Sequence, residues 1–330
     1  MNTEVLSGIE AIIKGSEIIR NGGLVAFPTE TVYGLGANAY DEDAVKSIFV
    51  AKGRPQDNPL IVHISSKDQI FQIAKTVSPN AKKIIDAFMP GPITIVLKKS
   101  NLISDVVTAG LDSVGIRMPA NEIARTFIEK SGYPIAAPSA NLSTKISPTT
   151  AEHVYNDLKG RIPLIIDGGP CSVGIESTVL DLTSDNPIIL RPGYITEDDI
   201  NKVLNEDVKT FKGEVIKTLP SPGMKYKHYA PVVDTIVAKG LDEIIKEYDR
   251  VTREGRRPVI IASGNISNKL EGYSLINLGY TDLDLTKNIY SALHLAEKQY
   301  DYIIIEYLAG SKKKESIMNR ILKAAAGKII

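Results

Sequence analysis

The stretch L-V-A-F-P-T-E-T-V-Y-G-L-G-A, Leu24 to Ala37, decides how the rest of the chain is read. Leu24 to Phe27 is a short apolar strand, and Pro28 stops it because proline cannot donate to a sheet ladder and fixes its own φ. A polar cluster follows at once: Thr29, Glu30, Thr31 and Tyr33 put hydroxyls and a carboxylate at the mouth of the strand. Gly34 and Gly36 are expected to let the backbone turn or approach a ligand closely. Small-ligand sites of α/β proteins form at such strand ends. An ordinary strand-to-loop connection is the plainer alternative.

Outward from this stretch the chain alternates between strand and helix patterns. Before it, apolar residues at 9, 12, 13 and 19 among charged ones predict an amphipathic helix ended by Gly22-Gly23. After it, Asp41 is expected to cap a helix through Val45, Ile48 and Phe49 that runs into Lys52-Gly53-Arg54-Pro55, where two cations emerge together. Strands are predicted at Leu60–Ile64, Thr94–Lys98, Val114–Met118 and Pro134–Ala137, with helices around 69–74, 81–88 and 122–130 between them. The short spacing of some strands implies a sheet that is not purely parallel.

The chain of 330 residues is long enough for two domains, and 43% hydrophobic content supports sizeable cores. Thirty-nine basic residues balance thirty-nine acidic ones, so any anion site must be local rather than part of a global field. The one cysteine, Cys171, excludes an internal disulfide. The sequence has no apolar run long enough to span a membrane and no signal pattern, so the cytoplasm is the expected compartment.

Arg54-Pro55, Arg117-Met118-Pro119 and Arg191-Pro192-Gly193 each set a guanidinium beside a proline that stops or redirects the chain. Arginines at several element ends can converge on one phosphate or carboxylate. The loop P-S-A-N-L-S-T-K-I-S-P-T-T, Pro138 to Thr150, adds the neutral groups of Ser139, Asn141, Ser143 and Ser147, while Thr149 with Glu152 reads as a capping box. His63, on the strand at Leu60–Ile64, is either a satisfied core histidine or a ligand. The phosphate-loop and dinucleotide motifs are both missing, as are zinc-ligand spacing and G-x-S-x-G. Chemistry here is expected to rest on positioned charge.

Together F-P-T-E-T-V-Y-G-L-G (Phe27–Gly36), K-G-R (Lys52–Arg54) with D-N-P-L (Asp57–Leu60), A-P-S-A-N (Ala137–Asn141) and E-S-T-V (Glu176–Val179) resemble threonylcarbamoyl-AMP synthases of the YrdC type. S-P-G-M-K-Y-K-H-Y-A-P (Ser221–Pro231) and I-M-N-R (Ile317–Arg320) are similar to the linker and closing helix of the longer, two-domain form. The resemblance implies a twisted, mixed-sheet YrdC-like domain with an open cleft over 1–204. A linker covering the active site over 205–231 and a smaller Rossmann-like α/β domain over 232–330 are expected to follow.

The implied reaction joins L-threonine, bicarbonate and ATP into L-threonylcarbamoyl-AMP, pyrophosphate and water. A tRNA threonylcarbamoyltransferase complex would be the downstream partner, with weak RNA binding and no membrane partner. The resemblance assigns Lys52 and Arg54 to catalysis, and Thr31, His63, Arg117 and Ser177 to threonine. It assigns Arg54, Asn58, Ser139, Asn141, Ser147, Arg191 and Tyr226 to ATP. No protein metal site is expected, and Mg2+ would be held through the ATP phosphates.

Two rivals stay open. One is an RNA-binding or ribosome-associated module, which the balanced charge disfavours. The other is a carbamoyl-adenylate-forming carbamoyltransferase, whose cysteine zinc module a single cysteine cannot build.

In the C-terminal part, strands are predicted at Val232–Ala238, Val259–Ala262 and Tyr302–Glu306, with helices at Leu241–Arg253, Leu285–Lys298 and Glu315–Ala326. Ser311-Lys312-Lys313-Lys314-Glu315 departs from the glycine-rich, apolar segment usual in the family, and a solvated turn at a helix start is the simplest reading.

Overall fold

The computed structural model describes residues 1–211 and 231–330. Tyr226 and most of the expected linker lie outside them. The described residues form two compact units. The first comprises 1–143, 148–172 and 176–211; the second comprises 231–330 with two short loops, 144–147 and 173–175.

The first unit is built on β1 (Glu4–Ser7), α1 (Gly8–Arg20), β2 (Val25–Phe27), β3 (Gly34–Asn38), α2 (Glu42–Lys52), β4 (Ile61–His63), α3 (Ile70–Ile73), α4 (Pro79–Phe88), β5 (Ile93–Lys98), α5 (Asp105–Thr108), β6 (Ser113–Arg117), α6 (Glu122–Ser131), β7 (Ile135–Ala137), α7 (Ala151–Leu158), β8 (Leu164–Asp167), β9 (Thr178–Asp181), β10 (Ile188–Arg191), α8 (Glu197–Leu204) and β11 (Lys209–Thr210). Its strands make one mixed sheet in the order β1-β8-β2-β3-β7-β4-β6-β5-β9-β10-β11. The mixture follows from connection length. β2 and β3 are joined by the short loop 28–33 and pair antiparallel, whereas β4 and β6, with α3, α4, β5 and α5 between them, pair parallel.

Asp41 caps α2 as expected, its carboxylate accepting from the Asp43 and Ala44 amides, and Gly53 ends the helix in the left-handed region at φ 61°. That turn releases Arg54 from the helix axis. The main core lies under the sheet, with Tyr33, Leu35, Ile48, Phe49, Leu60 and Ile95 among its buried members. A second cluster packs α1 and α6 through Ile19, Phe127 and Ile128 onto Phe27 and Ile166.

Two expectations need correction, and one pair of strands goes beyond them. Gly34 and Gly36 do not turn the chain; they lie inside β3, where a Cβ on Gly36 would fall 2.6 Å from Ile135 and 3.0 Å from the Phe27 ring. They make room for Phe27. The cap of α7 is Thr150, whose hydroxyl accepts from the His153 amide, one residue later than the expected Thr149. The N-terminal strand β1 and its partner β8 were not anticipated, because four residues with one or two apolar faces carry almost no periodic signal.

The second unit contains β12 (Asp234–Ala238), α9 (Leu241–Arg253), β13 (Pro258–Ala262), α10 (Gly264–Ser267), β14 (Leu275–Asn277), α11 (Asp282–Gln299), β15 (Tyr302–Glu306) and α12 (Lys312–Ala324). Its four strands are all parallel, in the order β12-β15-β13-β14, the expected Rossmann-like arrangement. β13 is buried along its whole length, as a central parallel strand must be, while the edge strand β14, absent from the sequence reading, is only half buried. Ser311 caps α12 by accepting from the Lys314 amide, so the three lysines do open a helix at its start.

Candidate active site

Strand register brings the first group of site residues together. His63 ends β4 and stands beside Arg117, which ends the parallel strand β6. β5 runs the other way against β6, so Thr94, near its start, lies next to Arg117. β9 pairs with β5 through Ile93 and Thr178, and β10 returns antiparallel with Arg191 opposite Val179. Five adjacent strands therefore present His63, Arg117, Thr94, Ser177 and Arg191 along one edge.

Hydrogen bonds fix the far half of that edge. Arg191 donates through Nε (3.1 Å) and NH2 (2.9 Å) to the Ser177 carbonyl, and NH2 also reaches the Ser177 hydroxyl at 3.1 Å. That hydroxyl is 2.8 Å from Thr94 Oγ1. Gly193 lets this approach happen, because a Cβ there would sit 2.4 Å from the Thr178 nitrogen. Thr94 was missed in the sequence; its only signal is a buried hydroxyl near the start of an apolar strand.

His63 is buried, with Nδ1 3.1 Å from the Ile61 carbonyl and its ring edge-on to Phe27 at 5.8 Å. A carbonyl only accepts, so Nδ1 carries the hydrogen. Burial first, and then the Arg117 guanidinium, push the His63 pKa down to about 3, so the ring is neutral and Arg117 supplies the positive charge.

Between Phe27 and β3 the polar loop folds on itself. Thr29 donates to the Val32 carbonyl at 2.6 Å and accepts from the amides of Thr31 and Val32. Since its one hydroxyl hydrogen is used, the Thr31 hydroxyl 2.9 Å away donates to Thr29 and keeps its lone pairs for a ligand. Tyr33 is structural: its hydroxyl donates to the Gly169 carbonyl at 2.7 Å and accepts from the Gly168 amide, and burial raises its pKa. Glu30 is buried with its Oε1 2.8 Å from Arg117 NH2. The sequence offered it only as a carboxylate near a strand end.

The second group gathers at the opposite end of β4, where Ile61 pairs with Ala137 and the Pro138–Asn141 loop leaves β7. Lys52 is buried, and its ammonium donates to the Ser139 carbonyl (2.5 Å), the Asn141 carbonyl and Asn141 Oδ1 (3.2 Å). The Ser139 hydroxyl donates to the same Oδ1 at 2.5 Å. In this structure the ammonium thus serves the loop. Burial, followed by the Arg54 charge, holds its pKa well below the usual lysine range. Arg54 NH2 donates to the Asn58 carbonyl at 3.3 Å, and Asn58 is itself buried. Because β4 is three residues long, its two ends, Ile61 and His63, are roughly 7 Å apart along it.

Ser147 belongs to the second unit, where its carbonyl lies 3.2 Å from His294 Nε2. Among the described residues no group of three or more His, Cys, Asp or Glu could hold a metal ion, and no helix is long and apolar enough to cross a membrane.

The sequence family described as "Telomere recombination", covering Sua5, YciO and YrdC proteins, matches residues 17–193. A second, described as "Threonylcarbamoyl-AMP synthase, C-terminal domain", matches residues 195–326. The chain belongs to the threonylcarbamoyl-AMP synthase family.

Members of that family named threonylcarbamoyl-AMP synthase include a Pyrococcus abyssi protein, 46% identical over 323 residues that cover 94% of this chain and 93% of the relative. A Bacillus subtilis protein of the same name is 43% identical over 329 residues, covering 97% and 94%. The crystal structure of P. abyssi Sua5 complexed with L-threonine superimposes with a TM-score of 0.93 at 42% identity, covering 100% of this chain and 99% of that one. Escherichia coli YciO, at 24% identity and a TM-score of 0.52, covers 58% of this chain and 95% of its own, and shares the fold. The two-domain form expected from the sequence is thus that of the family.

Proposed function

We propose that this chain makes L-threonylcarbamoyl-AMP, with pyrophosphate and water, from L-threonine, bicarbonate and ATP. The observation that carries the reading is the pairing of a neutral, buried His63 with Arg117 on adjacent strand ends, with the Arg54, Asn58 and Ser139 group gathered towards the other end of β4. That arrangement suits a molecule with an amino-acid end and a nucleotide end.

In this reading Thr31, His63, Arg117 and Ser177 hold threonine. Arg54, Asn58, Ser139, Asn141, Ser147, Arg191 and Tyr226 hold ATP, with 205–231 as a linker over the site between domains at 1–204 and 232–330. The threonine nitrogen takes up CO2 as a carbamate, and a carbamate oxygen displaces pyrophosphate from the α-phosphorus. Lys52 and Arg54 are the catalytic pair: Arg54 sits on the developing phosphate charge, and Lys52, bonded to the Ser139–Asn141 loop, adds its charge beside it. Mg2+ would arrive on the ATP phosphates, neutralising their charge; oxygen and water complete its shell, so it asks for no cluster of protein ligands. The product passes to a tRNA threonylcarbamoyltransferase complex in the cytoplasm, with weak RNA contact and no membrane partner.

Incubation with ATP, threonine and labelled bicarbonate tests the assignment. Label should enter an adenylate, and pyrophosphate release should need both threonine and bicarbonate. Release with ATP alone, or release driven by carbamoyl phosphate, overturns it.

A further inference from the structure

Glu30 and Arg117 form a pair whose geometry does not close. Their side chains are only 6% and 4% exposed, and Glu30 Oε1 is 2.8 Å from Arg117 NH2. Yet among the described residues neither carboxylate oxygen of Glu30 makes a hydrogen bond, nor do Nε and NH2 of Arg117. The charges attract each other, but the N–H directions miss the oxygen lone pairs. A buried ion pair is tolerated when its remaining donors and acceptors are satisfied, and native proteins leave few such atoms without partners. Four in one place, beside Thr31 and His63, are partners in waiting for a ligand that carries both charges.

The neighbours do not neutralise the pair. His63 is neutral, its pKa driven down to about 3 mainly by burial. The Cys171 thiol, which feels both Glu30 and Arg117, is pushed up to about 12, again mainly by burial, and stays protonated. Neither offers Glu30 a cation or Arg117 an anion.

We infer that Glu30 receives the threonine amine while Arg117 receives its carboxylate, so that the two side chains together read the zwitterion of an α-amino acid. The inference rests on the synthase reading above and adds to it the residue that selects for the amine. The ammonium gives Glu30 the donors it lacks, and the carboxylate gives Arg117 its acceptors. When the amine has become a carbamate its nitrogen keeps one N–H, which remains on Glu30 and turns the new carbamate oxygens away from that carboxylate.

The test compares two ligands of the full-length protein by calorimetry: L-threonine, and 3-hydroxybutanoate, which has the same hydroxyl and carboxylate without the amine. Wild type should bind threonine about 10- to 100-fold more tightly, the ratio expected for a charge-assisted hydrogen bond. Glu30→Gln should weaken threonine by about that factor and leave 3-hydroxybutanoate within about twofold. Equal losses for both ligands would show that Glu30 only braces Arg117, and would overturn the inference. ATP affinity reports on the fold of the variant. If Glu30→Gln loses ATP binding as well, Glu30→Asp decides. With the charge kept, a preference for threonine of tenfold or more supports the assignment, and no preference overturns it. A wild-type protein that binds ATP but neither acid overturns the synthase reading itself, a result distinct from either outcome in the variants.

Discussion

Two Glu–Arg pairs, one in each unit, differ in how completely they are bonded. In the second unit Arg250 meets Glu247 side-on, Nε to Oε2 at 2.9 Å and NH2 to Oε1 at 2.7 Å, and the Tyr302 hydroxyl donates to Oε1 at 2.6 Å. A guanidinium from Arg256 lies 4.7 Å over the Tyr302 ring. The Arg250 hydrogen bonds hold the Glu247 carboxyl below its ordinary pKa, and burial pushes the Tyr302 hydroxyl up to about 12. This cluster ties α9 to β15 and has its bonding complete. Arg117 is far more deeply buried than Arg250, Glu30 is about as buried as Glu247, and the pair is as close but misaligned. Distance between opposite charges is therefore a poor guide to role. Angular satisfaction separates a clip from a ligand site.

Arg117→Met is the largest test of that contrast. Threonine-dependent pyrophosphate release should fall at least about 10-fold, and about 100-fold or more if two contacts go, from one or two lost charge-assisted contacts of about 1.5–3 kcal/mol each. Urea unfolding should show a loss of about 3–5 kcal/mol, because a buried Glu30 is left without its counter-charge. Near-normal pyrophosphate release together with that loss of stability would put this pair in the same class as Glu247 and Arg250.

Acid titration of stability sharpens the contrast from the His63 side. The folded pKa of about 3 lies below the value near 6.5 of an unfolded histidine, so the unfolded chain binds the proton more readily. His63 thus contributes stability that is full above about pH 6.5 and is lost as pH falls from there towards 3, with a limiting slope of about 1.4 kcal/mol per pH unit. Subtracting the profile of His63→Gln from that of wild type isolates this share. Parallel profiles between pH 6.5 and 4 would mean that Arg117 and burial do not keep the ring neutral.

Tyr302→Phe should have the smallest effect: about 1 kcal/mol of stability from the lost hydrogen bond to Glu247, and unchanged pyrophosphate release. A drop in synthesis with the fold intact would show that the bonded cluster is not merely structural.

Much of this was legible in the chain. The strand ended by Pro28, the Asp41 cap and the strand-end arginines 117 and 191 are local signals, and each stands where its residue type predicts. Glu30 was visible as a carboxylate, but its meeting with Arg117 depends on sheet order, which no local pattern encodes. The partners of Lys52 were hidden for the same reason: its acceptors lie 87 and 89 residues away. Glycines 34 and 36 read as turn-formers because glycine's freedom and glycine's small size leave the same letter in a sequence.

The placement of β8 bears on how the chain comes off the ribosome. β1 and β2 are neighbours in sequence but never pair; β8 lies between them, in register with both, and the Thr3 hydroxyl bonds to Ile162, 159 residues later. At roughly 5–20 residues per second, the nascent chain spends on the order of 10–30 s with β1 unpaired and one side of β2 open. Edges of that kind invite wrong partners. Changes in Leu164–Asp167 should therefore register first as lower soluble yield during synthesis, at conditions where the finished protein is still stable.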